Sequence, residues 1–146
     1  MPTIIPGYVY SLFAALIVGV IVVCSCSVAA SSIKADAEVQ QLRNIGQYVA
    51  AQSLTLLSST SDSQSTAQYL DIPSQVGNQP FWIRIANDSS NAWVEMGFGT
   101  SPLSSSMQEK LPVAVVASGS FVSSTGRAIL QCSVENQIAT LTLTKG

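Results

Sequence analysis

The chain carries an uninterrupted apolar run without a single charged side chain from Tyr8 to Ala30, YVYSLFAALIVGVIVVCSCSVAA. Its 23 residues meet the length of ~20 that an α-helix needs to cross a bilayer. No proline or glycine-rich break follows, and an amphipathic stretch continues to about Ser58. The pattern predicts one helix of about fifty residues, roughly 80 Å long at ~1.5 Å per residue. A lone globular domain has no use for such a helix, so further copies of the chain are the expected partners.

Three interpretations of the apolar run compete. A cleaved secretory signal has a basic start and a shorter apolar stretch of ~7–15 residues, so it fits poorly. An ordinary membrane span fits the length, although the scattered charges give no orientation. Packing against other helices is favoured because Ala15 and Gly19 have the small-xxx-small spacing that lets helices approach closely. The candidate helix-packing residues are Leu12, Ala15, Ile17, Gly19, Val22, Val23 and Ser27.

The second half of the predicted helix, residues 31–58, is half polar. Leucine, isoleucine and valine recur there at spacings of three, four and seven, which is typical of one apolar stripe on a helix. The stripe consists of Leu42, Ile45, Val49 and Leu56. Charged and amide side chains occupy the opposite side. We therefore expect residues 1–58 to form the N-terminal unit, with the helix at about 5–58 and its apolar part at 8–30. We expect the stripe to carry the globular domain.

Composition excludes several classes of function. The net charge is −2 and the six lysines and arginines are dispersed, so no nucleic-acid surface is expected. The chain has no histidine, which leaves no Ser-His-Asp arrangement and no imidazole metal ligand. Cys24 and Cys26 are two residues apart on a helix and cannot bridge each other, while Cys132 is predicted to be a buried thiol. We expect no enzymatic activity, no cofactor and no metal site.

Residues 59–146 predict a small β-rich domain. Polar segments at 58–68 and 99–110 are interpreted as loops, and Ser118-Gly119 as a turn. The predicted strands cover residues 81–85, 92–98, 113–116, 120–123, 127–134 and 138–144. Six short strands with tight turns favour an antiparallel sandwich or a partly closed sheet, so the chain belongs to the α+β class. The last strand alternates most clearly and is a candidate edge strand.

Two features of this domain are candidate sites. Trp82 and Trp93 are aromatic anchors for core packing or an intersubunit contact, with a concave aromatic ligand site as the alternative. Asn87-Asp88-Ser89 is an N-x-Ser sequon in a predicted hairpin turn, which makes Asn87 a candidate glycosylation site.

The chain resembles the type IV pilin superfamily in its archaeal form, the adhesion pilins and archaellins. The resemblance rests on the strand-rich C-terminal part and on residues 8–57, YVYSLFAALIVGVIVVCSCSVAASSIKADAEVQQLRNIGQYVAAQSLTLL. The resemblance extends over the whole chain and concerns the order of the helix and the β domain. It includes no catalytic or binding motif. Bacterial pilins carry a glutamate near the start of the helix and a C-terminal disulfide loop. This chain has Ile5, no acid before Asp36, and a lone Cys132, which favours the archaeal branch.

The resemblance implies a structural subunit of an extracellular filament at the cell surface, a helical homopolymer that serves cell adhesion. Before assembly such a subunit resides in the cytoplasmic membrane and meets the pilus assembly machinery. Motility, DNA uptake and a minor-subunit role would look similar in one chain. The alternative is a membrane-anchored extracellular β domain that binds a ligand or partner without polymerising.

Overall fold

The described part of the chain begins with one long helix. The computed structural model describes residues 4–60, 64–88, 90–102, 106–135 and 137–146, with side chains from residue 7 onward. Helix α1 spans Ile4–Ser59, which confirms the helix predicted at about 5–58. It ends where the hydroxyl and the backbone N–H of Thr60 both donate to the carbonyl of Leu56, at 2.7 and 3.1 Å. By its contacts the chain forms two compact units, which divide after Ala37.

Among the described residues, seven strands follow the helix and form one sheet, so the predicted α+β class is confirmed. The strands are β1 (Ser65–Leu70), β2 (Phe81–Asn87), β3 (Ala92–Phe98), β4 (Met107–Leu111), β5 (Val116–Val122), β6 (Ala128–Glu135) and β7 (Ile138–Lys145). Their order is β1-β6-β7-β5-β2-β3-β4. Every neighbouring pair is antiparallel except β5 and β7, which are parallel.

The core of the second unit, Glu38–Gly146, lies between the C-terminal part of α1 and one face of the sheet. The helix contributes the four stripe residues, all of them buried: Leu42, Ile45, Val49 and Leu56. The largest fully buried side chains of the sheet in this cluster are Phe81, Ile83, Ile85, Met96, Leu130, Leu141 and Leu143. Each large side chain buried in this way contributes about 1.5–3 kcal/mol relative to exposure, so this layer holds the helix on the sheet.

The two outermost strands were not predicted. Strand β1 begins at Ser65 within the segment interpreted as a loop, and β4 begins at Met107 within the second such segment. Both lie at an edge of the sheet and carry small polar or charged residues. Such residues have a weak intrinsic preference for strands, so pairing with the neighbouring strand decides their conformation.

The region around Gly119 also differs from the prediction. Of the strands predicted at 113–116 and 120–123, residues 113–115 lie outside any strand. Strand β5 runs from Val116 to Val122 through the predicted turn, and Gly119 lies within it at φ 116°. Residues 116–119 pair with β7, and residues 120–122 pair with β2. The glycine therefore marks a change of strand partner, not a turn. Strand β7 is not an edge strand, because it lies between β6 and β5.

Candidate functional surfaces

The first part of α1 presents an apolar surface to solvent. All side chains from Gly7 to Ala37 are exposed. The large hydrophobic ones are Tyr8, Val9, Tyr10, Leu12, Phe13, Leu16, Ile17, Val18, Val20, Ile21, Val22, Val23, Val28 and Ile33. Among the described residues one helix, Gly7–Ser59, is long and apolar enough to cross a membrane. A continuous apolar surface of this extent is a site for packing against a membrane or partner chains.

Four serine hydroxyls on this surface are hydrogen-bonded within the helix. Ser25 Oγ donates to the carbonyl of Ile21 at 2.8 Å, and Ser27 Oγ donates to the carbonyl of Val23 at 2.9 Å. Ser11 and Ser31 make the same kind of bond to carbonyls three residues earlier. Because each donor is satisfied inside the helix, hydrocarbon or another helix can cover these serines without leaving an unpaired hydroxyl proton.

A depression of about 400 Å³ lies on this helix around Gly19. Its lining residues are Leu16, Gly19, Val20, Val23 and Cys24, which follow spacings of three and four and so share one face. A Cβ at Gly19 would meet nothing within 4 Å, so the missing side chain leaves the depression open. Four residues at i, i+3, i+4 and i+7 form the hole that receives a side chain of a facing helix in knobs-into-holes packing.

The sequence-predicted packing residues do not all share this face. At ~100° per residue, most of them fall within about 140° of the helix circumference: Leu12, Ala15, Gly19, Val22, Val23 and Ser27. Ile17 lies outside this arc, about 20° from Cys24 around the helix. Of the predicted residues, only Gly19 and Val23 line the depression. Leu16, Val20 and Cys24 were absent from the prediction. The spacing that reveals them is the i, i+3, i+4, i+7 pattern counted from Leu16, whereas the prediction followed small residues.

The second candidate surface is the face of β2, β3 and β4 that points away from the hydrophobic core. We call it the outer sheet face, and it consists of Trp82, Arg84, Trp93, Glu95, Gln108 and Lys110. Strand alternation puts these residues on one side. The register pairs Arg84 with Glu95 and Glu95 with Gln108 across the three strands, and it pairs Trp93 with Lys110.

Glu95 organises the outer sheet face. Its side chain is only 6% exposed, and it forms an ion pair with Arg84, whose Nε donates to Oε2 at 2.8 Å. Oε1 accepts hydrogen bonds from Trp93 Nε1 at 2.7 Å and from Gln108 Nε2 at 3.1 Å. Burial acts to raise the pKa of Glu95, but these hydrogen bonds and the charge of Arg84 outweigh it and hold the pKa below its ordinary value. The buried carboxylate therefore stays ionised and fixes three neighbouring side chains.

A polar depression of about 260 Å³ lies beside Trp93. We call it the Trp93 depression; its lining residues are Asp88, Asn91, Trp93, Gln108 and Lys110. Asp88 Oδ1 accepts backbone N–H bonds from Ser90 at 2.8 Å and from Asn91 at 2.6 Å. These bonds lower the pKa of Asp88, so its carboxylate is charged at neutral pH. The β2–β3 turn is thereby fixed at the rim of the depression.

The two tryptophans occupy different environments. Trp82 is almost fully buried, and its Nε1 has no hydrogen-bond partner within the described part of the chain. Its ring lies against Gly97, where an added Cβ would come within 2.8–2.9 Å of the indole. Trp93 is half-buried and reaches the depression. Only Trp93 is therefore placed to contact a ligand.

Asn87 is exposed at the end of β2, and its amide is held on both sides. Oδ1 accepts from the backbone N–H of Ala117 at 3.0 Å, and Nδ2 donates to the carbonyl of Asp88 at 3.2 Å. Ser89 of the sequon lies outside the described residues. Glycosylation at Asn87 stays a prediction.

The cysteines are free: Cys132 is buried, whereas Cys24 and Cys26 are exposed on the apolar helix. Within the described ranges, no group of three or more cysteine, aspartate or glutamate side chains is placed to hold a metal ion.

A long apolar N-terminal helix followed by a β-sheet domain is a pilin-like architecture. No protein-family model matches the chain, and neither a curated protein nor a solved structure is detectably similar to it.

Proposed function

We propose that this protein is the structural subunit of an extracellular type IV pilin-like filament of the archaeal kind, and that the filament serves adhesion. The observation that carries the proposal is the exposed apolar surface of α1 between Gly7 and Ala37. In this role the chain acts by self-assembly and has no catalytic step of its own.

The physical chemistry of the apolar surface supports a route through the membrane. A helix of this kind is insoluble in water, so the bilayer holds it before assembly. During assembly, the helices of other copies replace the lipid around it. Helix association in a lipid environment is driven by close packing, which small residues at the interface permit. In the depression, Gly19 is the small residue that would let a facing helix approach. The assembly machinery would supply the force that extracts the subunit.

The length of α1 favours a filament over a simple anchor. The apolar run ends near Ala30, where an anchor helix would end at the bilayer boundary. Helix α1 instead continues to Ser59, and its C-terminal part packs on the sheet. An anchor needs no helix beyond the bilayer boundary, so the continuation of α1 to Ser59 supports the filament over the anchored domain.

Electron microscopy of material sheared from cells that express the protein tests the proposal, with mass spectrometry of the same fraction. Thin filaments composed mainly of this chain would support a major filament subunit, and the mass of the peptide with Asn87 would show whether it carries a glycan. Recovery only from detergent-extracted membrane, without filaments, would contradict the proposal.

The alternative function is a membrane-anchored extracellular domain that binds a ligand without polymerising. The depression beside Trp93 is the observation that favours it. The two functions make different predictions for the sheared fraction, because the anchored domain would stay with the membrane.

A further inference from the structure

We propose that the Trp93 depression binds one neutral pyranose ring of a carbohydrate. Its lining residues, within the described part of the chain, belong to the sheet domain between Asp88 and Lys110. The inference goes beyond the proposed filament and does not depend on polymerisation, since a single copy contains the complete site.

The indole of Trp93 supplies the apolar wall of this site. A pyranose ring has one face of C–H groups that packs on an aromatic ring, while its hydroxyls point to the sides. The Trp93 side chain is half-buried and fixed by the hydrogen bond from its Nε1 to Glu95 Oε1. Because Glu95 already holds this ring in place, the ligand does not have to order it on binding.

The rim supplies partners for sugar hydroxyls, which both donate and accept. The Asp88 carboxylate accepts hydrogen bonds, the side-chain amides of Asn91 and Gln108 both donate and accept them, and the Lys110 ammonium donates them. Asp88 and Lys110 carry opposite charges, so the rim has no net charge to select an anion or a cation. This balance favours a neutral sugar over an acidic one.

The size of the depression limits the ligand. Its volume of about 260 Å³ lies just under the ~300–1,000 Å³ of typical small-molecule pockets. One monosaccharide ring fits this volume, and the rest of a longer glycan would extend into solvent. We therefore expect the site to recognise a terminal or otherwise exposed sugar of a glycan.

A second depression lined by an aromatic side chain serves as a comparison for the Trp93 depression. It has a volume of about 290 Å³ and lies near the opposite edge of the sheet, where Tyr69 and Arg127 belong to its lining. Tyr69 is 65% exposed, and no hydrogen bond fixes its ring within the described part of the chain. Trp93 is anchored by a charged partner, and Tyr69 is not. The Trp93 depression is therefore the better prepared of the two.

The full chain in a detergent without sugar headgroups provides the test. The chain has two tryptophans, so labelling with 5-fluorotryptophan gives two ¹⁹F NMR signals, which Trp93→Phe assigns. The probes are the methyl pyranosides of glucose, galactose and mannose, with methyl glucuronide as the acidic comparison, each at up to about 50 mM because a single ring is expected to bind in the millimolar range. We expect a neutral glycoside to shift the Trp93 signal and to leave the Trp82 signal in place.

Substitutions then locate the site by saturation-transfer NMR on the same glycoside. Trp93→Ala should weaken binding by about tenfold or more, because it removes the stacking wall. If that variant does not fold, Lys110→Met and Asn91→Ala on the exposed rim should each weaken binding several-fold. Tyr69→Ala is the matched control and should bind as the parent does.

Three outcomes would overturn the proposal. One is that no neutral glycoside binds the folded parent protein, including the case in which the glucuronide alone binds. Another is that a glycoside shifts only the Trp82 signal. The last is that Tyr69→Ala loses binding while Trp93→Ala and the rim variants bind as the parent does. None of these measurements requires a filament, so they are independent of the test of assembly.

Discussion

The side chain of Met96 occupies the space where Gly46 would carry a side chain. A Cβ built on Gly46 would overlap the Sδ and Cε atoms of Met96 in strand β3. Both residues are buried. The backbone of α1 therefore lies so close to strand β3 here that residue 46 has no room for a side chain unless Met96 moves. The packing of the sheet domain thus depends on glycine at position 46.

Enlarging Gly46 should destabilise the sheet domain. We expect Gly46→Leu to lower the free energy of unfolding by about 3 kcal/mol, at the upper end of the range for overpacking a well-packed core. Gly19→Leu is the control from the same helix, because a Cβ there meets nothing within 4 Å. Denaturant unfolding of both variants in detergent, followed by tryptophan fluorescence, measures the difference. Equal stability of the two would contradict the close approach.

Gly119 should tolerate substitution less well than Gly99. Both have positive φ, 116° and 103°, so alanine is strained at either position. This strain alone costs about 1–3 kcal/mol. At Gly119 a Cβ would also overlap the backbone of Leu143 in β7, whereas at Gly99 it would meet nothing within 4 Å. We expect Gly99→Ala to fold with reduced stability and Gly119→Ala to lose the β5–β7 pairing, measured by thermal unfolding and amide exchange.

The Glu95 network should make stability depend on pH. The pKa of Glu95 is lower in the folded chain than the ~4.3 of an unfolded glutamate, so its contribution is present above that value and is lost as the pH falls through the folded pKa. Glu95→Gln should cost about 1–3 kcal/mol at neutral pH, since it weakens buried hydrogen bonds to a charged group. As the pH falls below the ordinary range of a glutamate and through the lowered folded pKa, the parent and the variant should converge.

Unfolding curves of both proteins from pH 7 to pH 3 measure this convergence. Glu135→Gln is the control because Glu135 is exposed on β6. A constant difference between parent and Glu95→Gln across the range would show that the carboxylate charge contributes nothing to stability. The side chain of Arg84 is 45% exposed, so water screens its charge, and the hydrogen bond from Trp93 should make the largest contribution to the effect.

Filling the depression at Gly19 should block assembly without unfolding the sheet domain. Gly19→Leu places a large side chain where a facing helix would insert its own, so we expect few or no filaments in the sheared fraction. Gly19→Ala adds one methyl group and should retain more assembly. Tryptophan fluorescence of the detergent-extracted variants verifies the fold of the domain. Filaments of normal number and shape from Gly19→Leu would contradict the packing role of this depression.

Much of the fold could be predicted because its signals are local. An apolar run of 23 residues followed by a stripe at helical spacing fixes α1 to within about one residue at each end. Strands β2 and β3 alternate around an Asn-Asp turn, and the structure pairs them from Phe81 to Phe98. These patterns involve neighbours in sequence, so periodicity is sufficient to reveal them.

The candidate sites were only partly predictable for the same reason. Trp93 stands out as an aromatic residue in a strand, but nothing near it in sequence indicates that Gln108 and Lys110 lie beside it. The register of β3 and β4 brings them together across a segment predicted to be a loop. Glu95 was likewise not selected, because a lone glutamate in a strand carries no signal of burial.

The sequence by itself determined the long helix, the uncharged surface that has to be covered, and the presence of a β domain. The tertiary structure alone decided that polar segments at Ser65 and Met107 become edge strands, that Gly119 lies where a strand changes partners, and that Glu95 is buried in a hydrogen-bonded network. The division has a physical cause. Helix formation and amphipathic patterning depend on residues a few positions apart, whereas strand order and register depend on pairing between distant segments.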